Sequence, residues 1–185
     1  MTLPVLSWAA LGWALAAILL FWGIGAYNRL MRLRNAIGEA YVALDQHMGE
    51  RAQVCTQLLE RLRPLLPSEQ ATFDSLDSAQ AEAQAAAQAA RARPHAGEPV
   101  AHLAVAGAVQ QAALTRLMSL LEHQHELRAE AGLDALVDEL KLIERQRAFA
   151  RQVFNQAVTQ YNAAAQQFPT RVLAGLYGFA EARTL

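Results

Sequence analysis

Cysteine occurs once in the 185 residues, at Cys55. A disulfide within the chain is therefore excluded, and no Cys-x-x-Cys or Cys/His spacing of a zinc site exists. Lysine is equally scarce: of the 16 basic residues only Lys141 is lysine. The net charge is −1 and the arginines are scattered among acids, so no global field favours nucleic acid or an acidic substrate, and nucleic acid is not an expected partner. Runs of alternating β-branched residues are missing, which argues against strands. There is no glycine loop to cradle phosphate and no nucleophile elbow, so the chain carries no motif of a known catalytic class. The Ala-rich, Lys-poor composition is that of GC-rich bacterial coding.

What is present begins with a charge-free run, LPVLSWAALGWALAAILLFWGIGA, residues 3–26. A helix needs about 20 apolar residues to cross a hydrocarbon core ~30 Å thick. Trp8 stands near one end, and Trp22 and Tyr27 near the other. The interval from Trp8 to Tyr27 is roughly 28 Å at ~1.5 Å per residue, the separation of two interfacial aromatic belts. The competing reading is a cleaved signal peptide, against which stand the missing n-region Lys or Arg and the length of the run. Arg29, Arg32 and Arg34 follow the run and no charged side chain precedes it. The positive-inside rule then places residue 29 onward in the cytoplasm and the N-terminus outside, in a bacterial inner membrane, with these arginines at the lipid surface. Gly12 and Ala16 form a small-xxx-small pair, a weak signal in an Ala-rich span.

The rest reads as all-α. The expected division is an anchor over 1–27, an antiparallel bundle of about four long helices over 28–168, and a short apolar segment over 169–185 near the membrane. The first helix runs to about Leu66 and ends at Pro64 and Pro67. The second starts from Ser68 as N-cap and runs to about Ala92. The third begins near Pro99 and stops near Gly132, and the fourth runs from Leu133 to Phe168. On the fourth, Leu133, Leu136, Leu140, Ile143, Arg147, Ala150, Phe154, Val158, Tyr161, Ala165 and Phe168 recur at steps of three and four, a coiled-coil-like seam. Antiparallel packing takes the chain away from the anchor, back, away and back. Two similar stations, Tyr27-Asn28 and Tyr161-Asn162, should then face each other in the half of the bundle nearest the anchor.

Arg147 is the only charge on the fourth-helix seam. If buried it needs a carboxylate, with Asp45 the first candidate and Glu39 the second; the alternative is that it snorkels to the seam edge. Phe149, Phe154 and Tyr161 read as core. Asn155 and Asn162 are candidates to cap or bridge neighbouring backbone, against the reading of plain exposed asparagines. In LEHQHEL, Glu122 and His125 have the i, i+3 spacing of di-iron bundles, but no second Glu-x-x-His exists and no cofactor is expected. Cys55 offers a single natural labelling point for topology, given an accessible thiol.

Residues 143–179, IERQRAFARQVFNQAVTQYNAAAQQFPTRVLAGLYGF, resemble the C-terminal signature of the bacterial LemA family. The matching elements are Arg147–Arg151, Phe154–Val158, Tyr161-Asn162, Phe168-Pro169 and Leu173–Phe179, the last including Leu176. Residues 27–45 resemble the family's N-terminal signature through Tyr27-Asn28, Leu33–Asn35, Ala40 and Asp45. The resemblance covers both ends, about a third of the chain. Tyr41 stands where the family usually has Trp, Gly49-Glu50 where it has a basic pair, and Thr56 where it has Pro. The resemblance implies one N-terminal membrane helix, an antiparallel bundle and no established enzymatic activity. The resulting expectation is a non-enzymatic scaffold or self-assembling subunit at the membrane, in contact with lipid and homo-oligomeric. An adaptor for another envelope protein is the alternative, and a metal-dependent enzyme a further one.

Overall fold

The computed structural model describes residues 8–124 and 132–185. They form five α-helices: α1 Trp8–Leu62, α2 Gln70–Ala92, α3 Gly97–His123, α4 Asp134–Gln166 and α5 Thr170–Leu176. A 3-10 turn, Pro67–Glu69, precedes α2, and no strand occurs among the described residues. The fold is the all-α bundle expected from the sequence.

α1 is one unbroken helix of 55 residues. It is long and apolar enough to cross a membrane, with a window of mean hydropathy 1.8 that is almost wholly exposed. Trp8, Trp13, Ile18, Leu20 and Phe21 all project outward. From Ala26 onward the same helix becomes one-sided, burying Leu30, Ile37, Tyr41, Leu44, Cys55, Leu58 and Leu62. The boundary expected at residues 27/28 is thus a change in what surrounds the side chains and not a break in the backbone. α1 ends at Leu62, earlier than expected, because Pro64 has no N–H and disfavours helical geometry at Arg63. Ser68 does not cap α2. It lies inside the 3-10 turn, where the Glu69 N–H donates to Leu66 O at 3.1 Å.

Pro99 sits in the first turn of α3, as its missing N–H allows. α3 closes at His123, where the Gln124 N–H donates to Leu121 O, and does not reach Gly132. Gly132 does adopt the left-handed conformation, with φ +61, but it does so just before α4. Glu122 and His123 are exposed; His125 and Glu126 lie outside the described residues.

The chain travels away, back, away and back. α1 pairs most extensively with α4, and α2 with α3, so an α1–α4 pair and an α2–α3 hairpin, each antiparallel, pack into one bundle. The core has two parts. The proximal one, nearest the apolar half of α1, gathers Leu30, Ile37, Tyr41, Leu44, Phe154, Val158 and Tyr161 against small α2 residues such as Ala86 and Ala90. The distal one gathers Leu58, Leu62, Phe73, Leu76, Leu117, Leu121 and Leu140. Alanine on α2 lets α1 and α3 close over it, while Phe73 and Leu76 supply bulk only at the far end.

The α4 seam is buried as spaced through Tyr161, with Arg147 only partly covered. Phe168 departs from it, being 86% exposed: α4 ends at Gln166, so helical periodicity no longer governs that position. Phe149, expected in the core, is 69% exposed because it falls between the seam positions Arg147 and Ala150 and faces outward.

Candidate functional site

Between the two cores lies a polar layer. On α1 the seam steps from Met48 to Cys55 across Arg51, which occupies the intervening station and is the largest fully buried side chain. Arg51 Nε lies 2.9 Å from Glu144 Oε1 on α4. The contact is an ion pair and not an aligned hydrogen bond, since neither atom has a directed partner. Arg51 Nη2 donates to Gln111 Oε1 on α3 at 3.2 Å, and Arg147 Nη2 donates to the same oxygen at 3.1 Å. Arg147 Nη2 also donates to Glu144 Oε2 at 2.9 Å, a pairing one turn apart on α4. One carboxylate and one amide oxygen therefore serve two guanidinium groups. Burial is the main reason the Arg51 pKa lies below its ordinary value; Glu144 opposes this and Arg147 adds to it.

This layer corrects the expected pairing of Arg147. Asp45 lies nearer the anchor on the α1 face toward α2, where Arg91 Nη2 contacts its Oδ2 at 2.7 Å. Glu39 is exposed. Neither carboxylate shares Arg147's level and azimuth, whereas Glu144 shares both. The missed residue is Arg51, and its signal was in the sequence: the gap between Met48 and Cys55 is filled at steps of three and four by an arginine. A cavity of about 350 Å³ opens on the layer, and its lining combines polar Arg51, Arg147, Arg151 and Gln111 with apolar Leu44, Met48 and Leu103. The arrangement positions charge. No group of His, Cys, Asp and Glu among the described residues is placed to hold a metal ion.

Cys55 sits one turn beyond Arg51 and is wholly buried, with its thiol pKa pushed up to about 11 by that burial. It is therefore a poor labelling point in the folded protein, contrary to its proposed use for topology. Thr56 donates to Ala52 O at 3.0 Å and accepts from Gln80 Nε2 at 3.1 Å, which ties α1 to α2 without interrupting α1.

The second half of the site is at the proximal end. After α5 the chain runs back along α4 as a strap, residues 177–185. Asn162 Nδ2 donates to Ala182 O at 2.8 Å and its Oδ1 accepts from the Ala182 N–H at 3.0 Å. Asn155, two turns earlier on the same face of α4, does the same for Leu185, at 2.7 and 2.8 Å. Each side-chain amide thus substitutes for a neighbouring strand, satisfying one donor and one acceptor of a segment that has no sheet partner. Tyr161 Oη donates to Ala180 O at 3.0 Å.

A family model for the LemA family matches residues 40–185, which take in the distal core, most of the proximal core, the polar layer and the strap. The chain belongs to the LemA family. The match also spans residues 60–130, where the sequence by itself offered no motif. Comparison with curated proteins gives no match. In this LemA-family chain the two Tyr-Asn stations lie at the same end of the bundle but do not face each other directly, because the C-terminal strap stands between them. Tyr27 packs on Tyr177 and Phe179, with ring centroids 5.4 and 5.8 Å away, while Tyr161 and Asn162 hold the strap that follows. Asn28 is exposed. Phe154 lies in the proximal core with its ring 5.9 Å from Tyr41, edge to face. Tyr41, which stands in for Trp, donates its hydroxyl to Ala87 O at 2.9 Å.

Arg29 and Arg32 are exposed beside the apolar half of α1. Arg34 is not a free surface charge: its Nη2 lies 2.6 Å from His95 Nε2, in the turn between α2 and α3. Arginine only donates, so His95 accepts there as a neutral imidazole. Burial, then Arg34 and Arg93, hold the His95 pKa below its ordinary 6.5. Below that value the unfolded chain binds the proton more readily. The contact's contribution is therefore present above about pH 6.5 and is lost as the pH falls through the lower folded value. A folded-state histidine titration followed by NMR should give a midpoint under 6.5 for His95. Lowering the pH from 7.5 to 5 should weaken protection of the Arg93–Gly97 turn in the wild type and leave His95→Gln unchanged.

Proposed function

We propose that this protein is a membrane-anchored, non-enzymatic scaffold that assembles with copies of itself at the cytoplasmic face of a bacterial inner membrane. The observation that carries the reading is α1 itself. Its first half is apolar and almost wholly exposed, a state that water does not favour and a bilayer does. Its second half is a bundle helix, so the anchor and the bundle are one rigid rod. Arg29 and Arg32 at the changeover support retention of the bundle in the cytoplasm, with the N-terminus outside and lipid as a partner.

Self-assembly is supported by the outer face of α4, where Leu142, Phe149 and Val153 form an exposed apolar stripe on an otherwise polar surface. Phe149 is the natural anchor of such a contact, and truncating a central aromatic costs about 2 kcal/mol, or roughly 30-fold in affinity. Phe149→Cys in mild detergent should form a disulfide-linked dimer on oxidation, with buried Cys55 contributing nothing. Phe149→Glu should shift the mass by light scattering toward the monomer. A wild type that is monodisperse and monomeric, with no crosslink at position 149, ends the self-assembly reading. A position-149 crosslink in cells to a different envelope protein replaces the scaffold by the adaptor.

A further inference from the structure

α5 is built the wrong way round for a helix in water. Its buried residues are small, Thr170 and Ala174, while Val172 and Leu176 point outward at 56% and 77% exposure. Phe168 before it and Tyr177 after it are also exposed. Val172 and Leu176, four residues apart, share one face of α5, and Phe168 and Tyr177 flank the helix at its two ends. The only charge between Phe168 and Ala180 is Arg171, whose stem is long enough to carry its guanidinium clear of that face.

The height of α5 is fixed by contacts to α1. Leu173 and Tyr177 line an apolar groove of about 350 Å³ together with Leu19, Leu20, Gly23 and Ile24. All four of those α1 residues belong to the charge-free run. Leu19 is roughly 12 Å along the helix axis from Tyr27, at ~1.5 Å per residue, so α5 lies beside the final turns of the apolar half and not above it. The strap clamped by Asn155 and Asn162 holds it there from the bundle side.

We propose that α5, with Phe168 and Tyr177, is a second membrane contact that lies in the interface plane of the bilayer and buries its outward face among acyl chains and headgroups. The proposal rests on the reading that the apolar half of α1 spans the bilayer. Given that span, α5 is already at lipid depth, and its outward Val172 and Leu176, with exposed aromatic Phe168 and Tyr177 at its ends, match a layer that accepts apolar and aromatic groups to about 5–10 Å. Two contacts on one side of the rod, α1 and α5, hold the bundle at a set rotation about the membrane normal. A single helix would leave it free to spin.

The test uses the full chain in nanodiscs of phosphatidylcholine and phosphatidylglycerol. A nitroxide is placed at Leu176→Cys, with Ile18→Cys as the span control and Gln152→Cys as the bundle control. All three positions are exposed, so the labels leave packing intact. Collision with oxygen and with a water-soluble nickel chelate is read at each. The expected result is that Leu176 behaves like Ile18, with nickel accessibility about tenfold below that at Gln152. If Leu176 matches Gln152 while Ile18 is in lipid, this inference is overturned and the spanning reading stands. If Ile18 also meets the nickel chelate, the spanning reading itself fails and takes the inference with it. If the Leu176 label is broadened by dipolar coupling that unlabelled protein dilutes away, a second copy covers the face, and the lipid assignment is overturned.

Discussion

Replacing Glu144 by alanine should destabilise the bundle by ~3 kcal/mol, the largest single effect expected at the polar layer. The reason is asymmetric. Among the described residues Glu144 is the one carboxylate facing both Arg51 and Arg147, and Arg51 is 1% exposed. Removing it leaves a buried guanidinium with only Gln111 to contact, beside a second positive charge. Unlike an exposed ion pair, the guanidinium cannot recover its loss by turning to water. Urea unfolding checks this through the midpoint at constant m-value. The Arg51→Met, Glu144→Leu double variant should be far less damaged than Glu144→Ala, because it removes the buried charge together with its partner. If Glu144→Ala unfolds at the wild-type midpoint, the layer is not the electrostatic keystone of the bundle. If the double variant is as unstable as the single one, packing and not charge governs the position.

The second large effect concerns the strap. Asn155→Ala with Asn162→Ala removes four hydrogen bonds to the Ala182 and Leu185 backbone while leaving both helix faces otherwise intact. At about 1 kcal/mol each, less what water restores to an exposed segment, the strap should lose roughly 2–4 kcal/mol of local stability. Amide exchange at Ala182 and Leu185 should accelerate by about 30- to 1,000-fold, with the α1–α4 core amides little changed. Unaltered exchange would mean that apolar contacts, such as Ala182 in the proximal core and Phe179 against it, hold the strap without the amides. Conservative Asn→Asp at either position should not restore it, because a carboxylate accepts but does not donate.

Both effects also separate what was readable from what was not. The α4 seam could be traced from spacing alone as far as Tyr161, because a helix that buries one stripe must repeat its apolar residues every three or four positions. The same rule places Arg147 on the α4 seam and, extended to charged residues, places Arg51 on the α1 seam between Met48 and Cys55. It could not say which carboxylate Arg147 meets. That depends on the level and azimuth of two helices at once, and Asp45 turns out to face Arg91. Phe149 reads as core by its chemistry, whereas its position between seam stations places it outside. Asn155 and Asn162 resemble many exposed asparagines until the strap is laid across them, since their role lies in a partner from the far end of the chain.

The amino-acid order by itself settled the all-α architecture, the family, the charge-free length of α1 and the antiparallel course of the chain. Each of these follows from local periodicity, from composition or from motifs read in one register. Only the tertiary structure decided that α1 runs unbroken from its apolar half into the bundle, that Arg51 and Arg147 share Glu144, that the strap is held by side-chain amides, and that α5 turns its apolar face outward. The physical reason is that a sequence fixes which side of each helix is apolar. Rotation and height, set by packing many such sides at once, choose the pairs that touch.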